Sequence, residues 1–408
     1  MSAPNTAQAA LNYLRPGSLM LPALPPLSIY VHLPWCLKKC PYCDFNSHEV
    51  RTAGKLEDAL QSRYIDALVA DAESALPLVW GRPIHSIFMG GGTPSLFAPA
   101  QIERLIAALR ARFPLTADCE ITLEANPGTF ETDRFAAYRA AGVTRLSVGV
   151  QSFDDAKLQA IGRVHNAAQA RAALAEAAQH FEHFNLDLMY ALPGQDLAQL
   201  QADVQTALSF APPHLSIYHL TLEPNTYFAK FPPALPDEDV AWQMLDAITA
   251  ATQTAGLARY EVSAFARGAG QQCRHNRNYW QFGDYLGIGA GAHGKISFPH
   301  RVLRQVRYTR PEEYLKQAER GQFVAQENEI ARAELPFEFM LNALRLVDGF
   351  AVQDFADRTG LALTAIEKPL QQAEAKGLIT RDWQRIAPTT RGLDFLSELQ
   401  GLFLPEGN

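Results

Sequence analysis

The chain has 408 residues, 48% of them hydrophobic, and a formal net charge of −7. This length suits one large domain with a smaller one, since domains average about 100 to 200 residues. A net negative charge argues against a general nucleic-acid binder, which normally carries a basic stripe. No apolar run approaches the roughly 18 residues of a membrane helix. Residues 1–27 lack the basic start and unbroken apolar stretch of a signal peptide, so we expect a cytoplasmic protein.

Short apolar runs alternate with helical patterns from residue 28 onward. The predicted strands cover residues 28–33, 85–89, 120–124, 145–150, 185–190 and 214–220. The helical patterns between and after them cover residues 56–76, 99–112, 131–141, 167–180, 196–210 and 237–254. This alternation predicts parallel strands joined by right-handed crossovers, hence an α/β fold. Polar candidate residues follow the C-terminal ends of successive strands, which is typical of a partial TIM-type barrel with its site at that face.

The C-terminal part of the chain, from residue 311, is predicted to be mainly helical. Residues 352–386 have the pattern of a helix, a turn, a second helix and a short strand pair, as in a winged-helix DNA reader. The second helix, however, carries Glu367 and Glu374 against Lys368 and Lys376. Such a mixed face does not suit phosphate binding, so we do not expect DNA binding.

Three cysteines, Cys36, Cys40 and Cys43, are clustered with C-x3-C-x2-C spacing after the first apolar run, while Cys119 and Cys273 stand alone. This pattern is not a disulfide framework and indicates a reducing compartment. Three thiolates would leave one iron of a cubane cluster free for a non-protein ligand. An open position of this kind is typical of a reactive metal site.

Two interpretations of the cysteine cluster stay open on the residues alone. One is an iron–sulfur cluster, which the aromatic neighbours Trp35, Tyr42 and Phe45 favour because they would keep it partly dry. The other is a zinc site with His48 as the fourth ligand. The spacing resembles the signature of the radical S-adenosylmethionine (SAM) superfamily. That resemblance implies a 4Fe–4S cluster whose open iron is chelated by the amino and carboxylate groups of SAM.

Further polar residues lie beside the predicted strand ends. The run 90–95 reads Gly-Gly-Gly-Thr-Pro-Ser; glycines there allow a ligand to lie against bare backbone. Glu124, Gln151 and Asp187 lie at or near the ends of three successive strands, where a polar side chain is costly unless it is paired or liganded. Arg163 is a candidate partner for a ligand carboxylate.

Several longer motifs carry a closer resemblance. They are Tyr-Val-His-Leu-Pro-Trp-Cys at 30–36, Cys-Pro-Tyr-Cys-Asp-Phe-Asn-Ser at 40–47, Gly-Val-Gln-Ser-Phe at 149–153 and Asp-Leu-Met-Tyr-Ala-Leu-Pro-Gly at 187–194. Together with the glycine run they resemble the oxygen-independent coproporphyrinogen III oxidase family, and within it the HemW-type haem chaperone branch. The resemblance implies a partial (β/α)6 radical SAM barrel. It also implies that the SAM-binding positions are Tyr30, Gly91, Gly92, Thr93, Glu124, Gln151, Arg163 and Asp187.

The chain departs from the true oxidases of that family in two places. Phe45 stands where those enzymes carry a fourth cysteine, and only 29 residues precede Tyr30. Oxidase activity is therefore not expected, although it stays the alternative function. The chaperone branch instead carries H-N-x-x-Y-W, found here at 275–280. This resemblance makes His275 the candidate haem-binding residue, with His32, His165 and Cys273 in reserve.

The prediction is therefore a haem chaperone with a SAM-chelated 4Fe–4S cluster that passes haem to an acceptor protein. A zinc-stabilised interaction module is a third, less well supported hypothesis. The expected segments are a tail (1–27), the barrel (28–255), a haem- or substrate-proximal segment (256–310) and a helical C-terminal domain (311–408). Expected partners are haem and a haem-accepting apoprotein, with no nucleic acid, at most peripheral membrane contact, and homodimerisation left open.

Overall fold

The computed structural model describes residues 19–50, 56–128 and 134–405. Its strands are β1 (Leu27–Leu33), β2 (Trp35–Cys36), β3 (His48–Glu49), β4 (Ile84–Gly91), β5 (Leu115–Ala125), β6 (Arg145–Gln151), β7 (His183–Tyr190), β8 (His214–His219), β9 (Ala258–Glu261), β10 (Ala264–Ala266), β11 (Asp284–Ile288), β12 (His293–Phe298), β13 (Arg301–Arg307), β14 (Val324–Glu329), β15 (Phe350–Ala351), β16 (Ile379–Arg381) and β17 (Arg385–Pro388). Its α-helices are α1 (Asp58–Ala75), α2 (Pro99–Arg112), α3 (Phe135–Ala140), α4 (Asp155–Ala160), α5 (Ala167–His180), α6 (Leu197–Ser209), α7 (Tyr227–Lys230), α8 (Glu238–Thr254), α9 (Arg274–Trp280), α10 (Pro311–Ala318), α11 (Leu335–Ala343), α12 (Val352–Thr359), α13 (Glu367–Ala375), α14 (Thr390–Asp394) and α15 (Leu396–Gly401).

A large sheet organises the molecule. Its strand order is β14-β13-β12-β11-β1-β4-β5-β6-β7-β8-β10-β9. Neighbouring strands are parallel from β11 through β1 to β8, and antiparallel at both ends. The six predicted strands are all present in this parallel part, and the predicted α/β partial-barrel fold is confirmed.

The crossover helices also follow the sequence pattern. Helices α2 and α5 have the predicted bounds, while α1, α6 and α8 differ from theirs by one or two residues. Part of the predicted helix 131–141 lies outside the described residues, and its described portion is α3. The tail prediction for residues 1–18 likewise lies outside them. No helix in the described part of the chain is long and apolar enough to cross a membrane.

The two faces of the sheet differ in chemistry. On β1 the side chains of Ile29, Val31 and Leu33 belong to the main hydrophobic core. The alternate residues Tyr30 and His32 therefore point to the opposite side, because successive side chains of a strand alternate. We call that side the inner face; the strand registers place Phe88, Glu124, Asp187 and Tyr218 on it with Tyr30. It is the polar and aromatic side of the sheet.

Buried ion pairs fasten the antiparallel extension to the parallel strands. Arg307 on β13 meets Asp71 of α1 at 3.0 Å, and both side chains are buried. Asp284 on β11 accepts from Lys295 on β12 at 2.8 Å and from Arg82 at 2.8 Å. Because each buried charge is paired, removing one partner would leave the other uncompensated.

A second hydrophobic core forms in the C-terminal part. Residues of α11, α12 and α13 pack in it with Ile379 and Ile386 of a small sheet ordered β15-β17-β16. The predicted helix, turn, helix and strand pair are thus present as α12, α13, β16 and β17. Leu19 and Leu21, which precede β1, also pack in this second core. The sequence-based domain limits at 27, 255 and 310 stay a prediction.

Candidate functional site

The three clustered cysteines lie on a folded loop between β1 and α1. Its ends are held together by the short parallel pair of β2 and β3. Within it the Cys43 amide donates to the Cys40 carbonyl at 3.1 Å, which closes a tight turn. Asn46 then anchors the loop, because its side-chain nitrogen donates to the carbonyl oxygens of Ala290 (2.9 Å) and Thr309 (2.8 Å). The loop is therefore held by a hydrogen bond within it and by hydrogen bonds to backbone carbonyls elsewhere in the chain.

Each of the three sulfur atoms has a polar neighbour. The Thr93 hydroxyl donates to Cys36 Sγ at 3.5 Å, Arg163 Nη1 donates to Cys40 Sγ at 3.7 Å, and Ser47 Oγ lies 3.7 Å from Cys43 Sγ. Burial raises the pKa of Cys36 to about 11 and also raises the pKa of Cys43. Metal ligation requires thiolates, so binding iron here would displace protons.

The ligand geometry bears on the kind of metal. Among residues 19–50, 56–128 and 134–405, no three Cys, His, Asp or Glu side chains are arranged to hold a single metal ion. His48, the fourth ligand of the zinc alternative, has its Nε2 atom 3.1 Å from the side-chain oxygen of Asn46. This arrangement gives no support to a one-ion site. In a cubane cluster each cysteine binds a different iron atom. The three thiolates therefore need only lie on the same side of the loop, and need not converge on a single ion.

The glycine run follows β4 and lies directly against the cysteine loop. The amides of Gly92 and Thr93 donate to the carbonyls of Leu33 (2.9 Å) and Trp35 (2.7 Å). A Cβ atom on Gly92 would lie 2.6 Å from the Trp35 carbonyl oxygen, and one on Gly91, whose φ is +110°, would collide with the His32 ring. Only glycine fits this close approach to the chain's own backbone and to the His32 ring. The predicted approach of a ligand to these glycines stays a prediction.

Arg163 and Asn126 join the cysteine loop to the strand ends. Arg163 Nη2 donates to the Asn126 side-chain oxygen and to the Gly149 carbonyl, both at 2.6 Å. Asn126 in turn donates to the Thr93 hydroxyl at 2.9 Å. Arg163 Nε is buried with no partner in the described part of the chain. One donor of this guanidinium is thus left for a ligand.

Two carboxyl groups, those of Glu124 and Asp187, lie on the inner face. Burial, with the nearby Asp187 charge, raises the pKa of Glu124 to about 8, although its Oε2 accepts from the Gly91 amide at 3.2 Å. Burial also raises the pKa of Asp187 to about 6. Hydrogen bonds to this carboxylate, chiefly the one from Asn185, lower the pKa and oppose part of that shift. Neither carboxyl group forms an ion pair among the described residues. A cationic ligand would favour their ionised forms.

The remaining predicted SAM positions are Tyr30 and Gln151. The Tyr30 hydroxyl lies 3.0 Å from His32 Nδ1, and its ring stacks near Phe88 with centroids 6.3 Å apart. Gln151 ends β6 with φ at +73°, a region that a non-glycine residue enters only when its surroundings enforce it. Its side chain lies beside Gly149 and Arg163, near the strand ends.

His275, the predicted haem-binding residue, lies on α9 against the inner face. Its ring stacks on Phe88 (4.9 Å between centroids) and Tyr30 (6.0 Å), and meets the edge of Tyr279 at 4.7 Å. Both ring nitrogens are buried without a partner among the described residues. Burial lowers the pKa of His275 to about 3, so the ring is neutral and keeps a free lone pair.

The reserve candidates differ from His275 in their bonding. His32 uses both ring nitrogens, towards Tyr30 and towards the Asn46 carbonyl at 2.8 Å. His165 uses Nε2 towards the Val150 carbonyl at 3.0 Å, whereas its Nδ1 has no partner in the described chain. Cys273 is buried, and burial raises its pKa to about 12. Of these candidates, His275 has the most unused bonding capacity.

Asn126 and Phe88 were not among the residues predicted from the sequence. Asn126 follows Glu124 by two residues in the Glu-Ala-Asn-Pro turn, so its place at a strand end was an available signal. Phe88 lies in an apolar strand, and its contact with His275 depends on where α9 packs. No spacing in the sequence indicates that Phe88 and His275 are in contact.

Comparison with known proteins agrees with this geometry. Residues 30–207 match the radical SAM superfamily, and residues 330–395 match the HemN C-terminal domain. The structure is similar to that of coproporphyrinogen III oxidase (HemN) from Escherichia coli, with a TM-score of 0.79, 24% identity, and coverage of 97% of this chain and 93% of that one. This likeness shows the fold. It does not carry over the activity.

The chain thus has the fold and the cysteine loop of a radical SAM protein, and it belongs to that superfamily. Its sequence is 44% identical to heme chaperone HemW of Haemophilus influenzae, over 95% of this chain and 100% of that protein. It is equally 44% identical to heme chaperone HemW of Escherichia coli K12, over 94% of this chain and 99% of that protein. Within the superfamily, the chain belongs to the HemW family.

Proposed function

We propose that this protein is a haem chaperone, which binds haem beside a SAM-chelated 4Fe–4S cluster and transfers the haem to an acceptor protein. Cys36, Cys40 and Cys43 are the cluster ligands in this proposal. The two relatives at 44% identity are named heme chaperones, which supports the haem part.

A continuous polar connection between two of the cysteines carries the cluster part of the proposal. It runs from Cys36 through Thr93, Asn126 and Arg163 to Cys40, each step a hydrogen bond of the structure. Thiolates need donors and positive charge nearby to be stable. In this connection Thr93 and Arg163 supply the donors, and Arg163 also supplies the positive charge. Both residues lie where the glycine run and the strand ends meet the loop.

The same residues suit a zwitterionic ligand with a further positive charge. In the proposal the backbone at Gly91, Gly92 and Thr93 receives the amino group of SAM, and Arg163 Nε donates to its carboxylate. Glu124 and Asp187 face the cationic and hydroxyl-bearing part, with Tyr30 and Gln151 at the edges. When bound, the cluster supplies an open iron for SAM and a single electron.

His275 is the proposed axial ligand of haem. A neutral imidazole with an unused lone pair is the form that binds iron. The ring is 3% exposed, so iron would reach it only after Tyr30 or Tyr279 moved. An exchangeable site of this kind suits a protein that must release its haem to an acceptor.

We further propose a cytoplasmic location, no nucleic-acid partner and at most peripheral contact with a membrane. All five cysteines are free thiols in the structure, in keeping with a reducing compartment. On the winged-helix part, Arg381 pairs with Glu367 and Glu374, and Lys376 pairs with Glu398. These bases are therefore occupied by carboxylates. Dimerisation stays open.

The experiment is anaerobic reconstitution with iron and sulfide, followed by haem titration and an assay for coproporphyrinogen decarboxylation. Wild type is compared with the triple variant Cys36→Ala, Cys40→Ala, Cys43→Ala. The matched control is the variant Cys119→Ala, which removes a cysteine outside the loop.

We expect about one haem per chain, no decarboxylation, and loss of iron in the triple variant alone. Formation of vinyl product without stable haem binding would favour the oxidase instead. Equal iron loss in the control variant would refute the assignment of the cluster to the loop.

A further inference from the structure

Three buried polar atoms lie unused where the C-terminal part meets the inner face. The Arg345 guanidinium stacks over the Trp280 ring, with its central carbon 4.3 Å from the ring centroid. Arg345 Nε, Trp280 Nε1 and Glu261 Oε2 are all buried without a hydrogen-bond partner among the described residues. Native proteins seldom leave such buried atoms unpaired. Each of the three atoms could therefore form a hydrogen bond with a ligand.

Glu261 does not supply the partner for Arg345. Its Oε2 lies 3.8 Å from Arg345 Nη2, too far for a hydrogen bond, and its side chain is 5% exposed. The other carboxylate oxygen accepts from the Ser263 amide at 3.1 Å. Glu261 therefore attracts Arg345 weakly without accepting a hydrogen bond from it. Arg345 Nε and Trp280 Nε1 keep their N–H groups unpaired among the described residues.

Other arginines nearby are already bonded. Arg304 donates to the Tyr285 hydroxyl and to the Glu338 carboxylate, and Arg277 donates to the Gln272 side chain. Arg345, by contrast, donates no side-chain hydrogen bond among the described residues, so its guanidinium has capacity for an incoming anion.

The free donors adjoin a row of aromatic rings that we call the aromatic wall: Phe88, His275, Tyr279 and Trp280. Neighbouring centroids in this row are 4.9, 4.7 and 6.4 Å apart. Arg345 is also within electrostatic reach of Tyr218, which lies on the inner face and is 40% exposed. The donors are therefore contiguous with the wall through Trp280.

We propose that Arg345 and Trp280 bind a carboxylate side arm of haem while the aromatic wall packs beside the macrocycle. Guanidinium and indole N–H groups donate to carboxylate oxygens, and aromatic rings pack well on a flat conjugated ring. This inference rests on the proposed function, because it takes haem as the ligand. It adds the residues that recognise the carboxylate.

The test compares haem with its dimethyl ester, whose side arms carry no charge, on the reconstituted full-length protein. The variants are Arg345→Met, Trp280→Phe and Glu261→Gln. The matched control is Arg381→Met, since Arg381 is also a partly buried arginine (22% exposed, against 28% for Arg345) that pairs with carboxylates. Absorbance titrations give the dissociation constants, and circular dichroism checks that each variant is folded.

We expect wild type to bind haem at least about tenfold more tightly than the ester, the usual worth of a charge-assisted hydrogen bond. Arg345→Met should remove that difference by weakening haem binding alone, and Trp280→Phe should reduce it a few-fold. Glu261→Gln should tighten haem binding, because it removes the carboxylate that competes for Arg345. A purely structural role of this pair predicts no such gain.

The outcomes separate this inference from the proposed function. Haem binding that Arg345→Met leaves unchanged, or that falls equally for haem and ester, would overturn the inference and leave the chaperone proposal standing. No haem binding by wild type would overturn both. If Arg345→Met were unfolded, the test would rest on the other two variants. An unchanged ratio of ester to haem dissociation constants in both Trp280→Phe and Glu261→Gln would then overturn the inference.

Discussion

Replacing Glu124 by Gln should flatten the pH dependence of SAM binding between about pH 6 and about pH 8. The pKa of Glu124 is raised to about 8, so the group is mostly protonated at neutral pH in the ligand-free protein. A cationic ligand beside it favours the carboxylate, and binding must then expel the proton. Below pH 8 each pH unit weakens binding by up to about tenfold, or about 1.4 kcal/mol.

From about pH 6 to about pH 8 the affinity of wild type for SAM should therefore rise by up to about a hundredfold and then level off. Asp187, whose pKa is raised to about 6, adds to this slope only below that pH. The variant Glu124→Gln should bind more weakly at pH 8 and show a flatter profile, because an amide has no proton to release.

The assay is anaerobic calorimetry with the reconstituted protein, in buffers of different ionisation enthalpy so that released protons are counted. The variant Glu103→Gln, at an exposed position of α2, serves as control. Any pH dependence of the cluster itself is common to all three proteins and cancels in the comparison. Equal slopes for wild type and Glu124→Gln, or tighter binding at acid pH, would refute the reasoning.

The same shift has a consequence for stability. The folded pKa of Glu124 lies above the unfolded value, so the folded protein holds this proton more firmly than the unfolded chain does. The free energy of unfolding of the ligand-free protein should then fall as pH rises from about 4.5 to about 8. Glu124→Gln should fall less over that window in denaturant titrations.

Four further substitutions test other parts of the structure. Gly92→Ala places a Cβ 2.6 Å from the Trp35 carbonyl oxygen and should weaken SAM binding in calorimetry, whereas Gly268→Ala, with nothing within 4 Å, should not. Leu370→Ala opens a cavity in the second core and should cost about 2 to 5 kcal/mol in urea unfolding. Arg307→Met leaves Asp71 buried and unpaired and should cost about 3 to 5 kcal/mol by the same measurement; a loss below about 1 kcal/mol would contradict the paired assignment. His275→Ala should change the Soret band of bound haem but leave iron loading intact, and an unchanged spectrum would exclude axial ligation by His275.

Periodicity in the sequence determined six of the seven strands of the parallel sheet; β11 was not among the predicted strands. The parallel strands read as short apolar runs and their crossover helices as amphipathic patterns, so both are readable locally. The bounds of α2 and α5 were predicted to the residue. The sequence also determined which cysteines form the candidate cluster site, because the spacing of Cys36, Cys40 and Cys43 is itself the feature that indicates iron–sulfur ligation.

Tertiary structure decided how those pieces meet. The pairing of β11 with β1 joins residues more than 250 positions apart, and no local pattern encodes it. Asn126 gains its place between Thr93 and Arg163 only when three strand ends converge.

The same holds for the buried polar groups. The raised pKa of Glu124 depends on burial and on Asp187, and the unused donors of Arg345 and Trp280 depend on where the C-terminal part packs. Hydrophobic patterns are periodic and short-ranged, whereas desolvation and electrostatic coupling depend on distances through space between residues far apart in the chain. For that reason the sequence alone determined which residues are candidates, and the fold decided which of them act together.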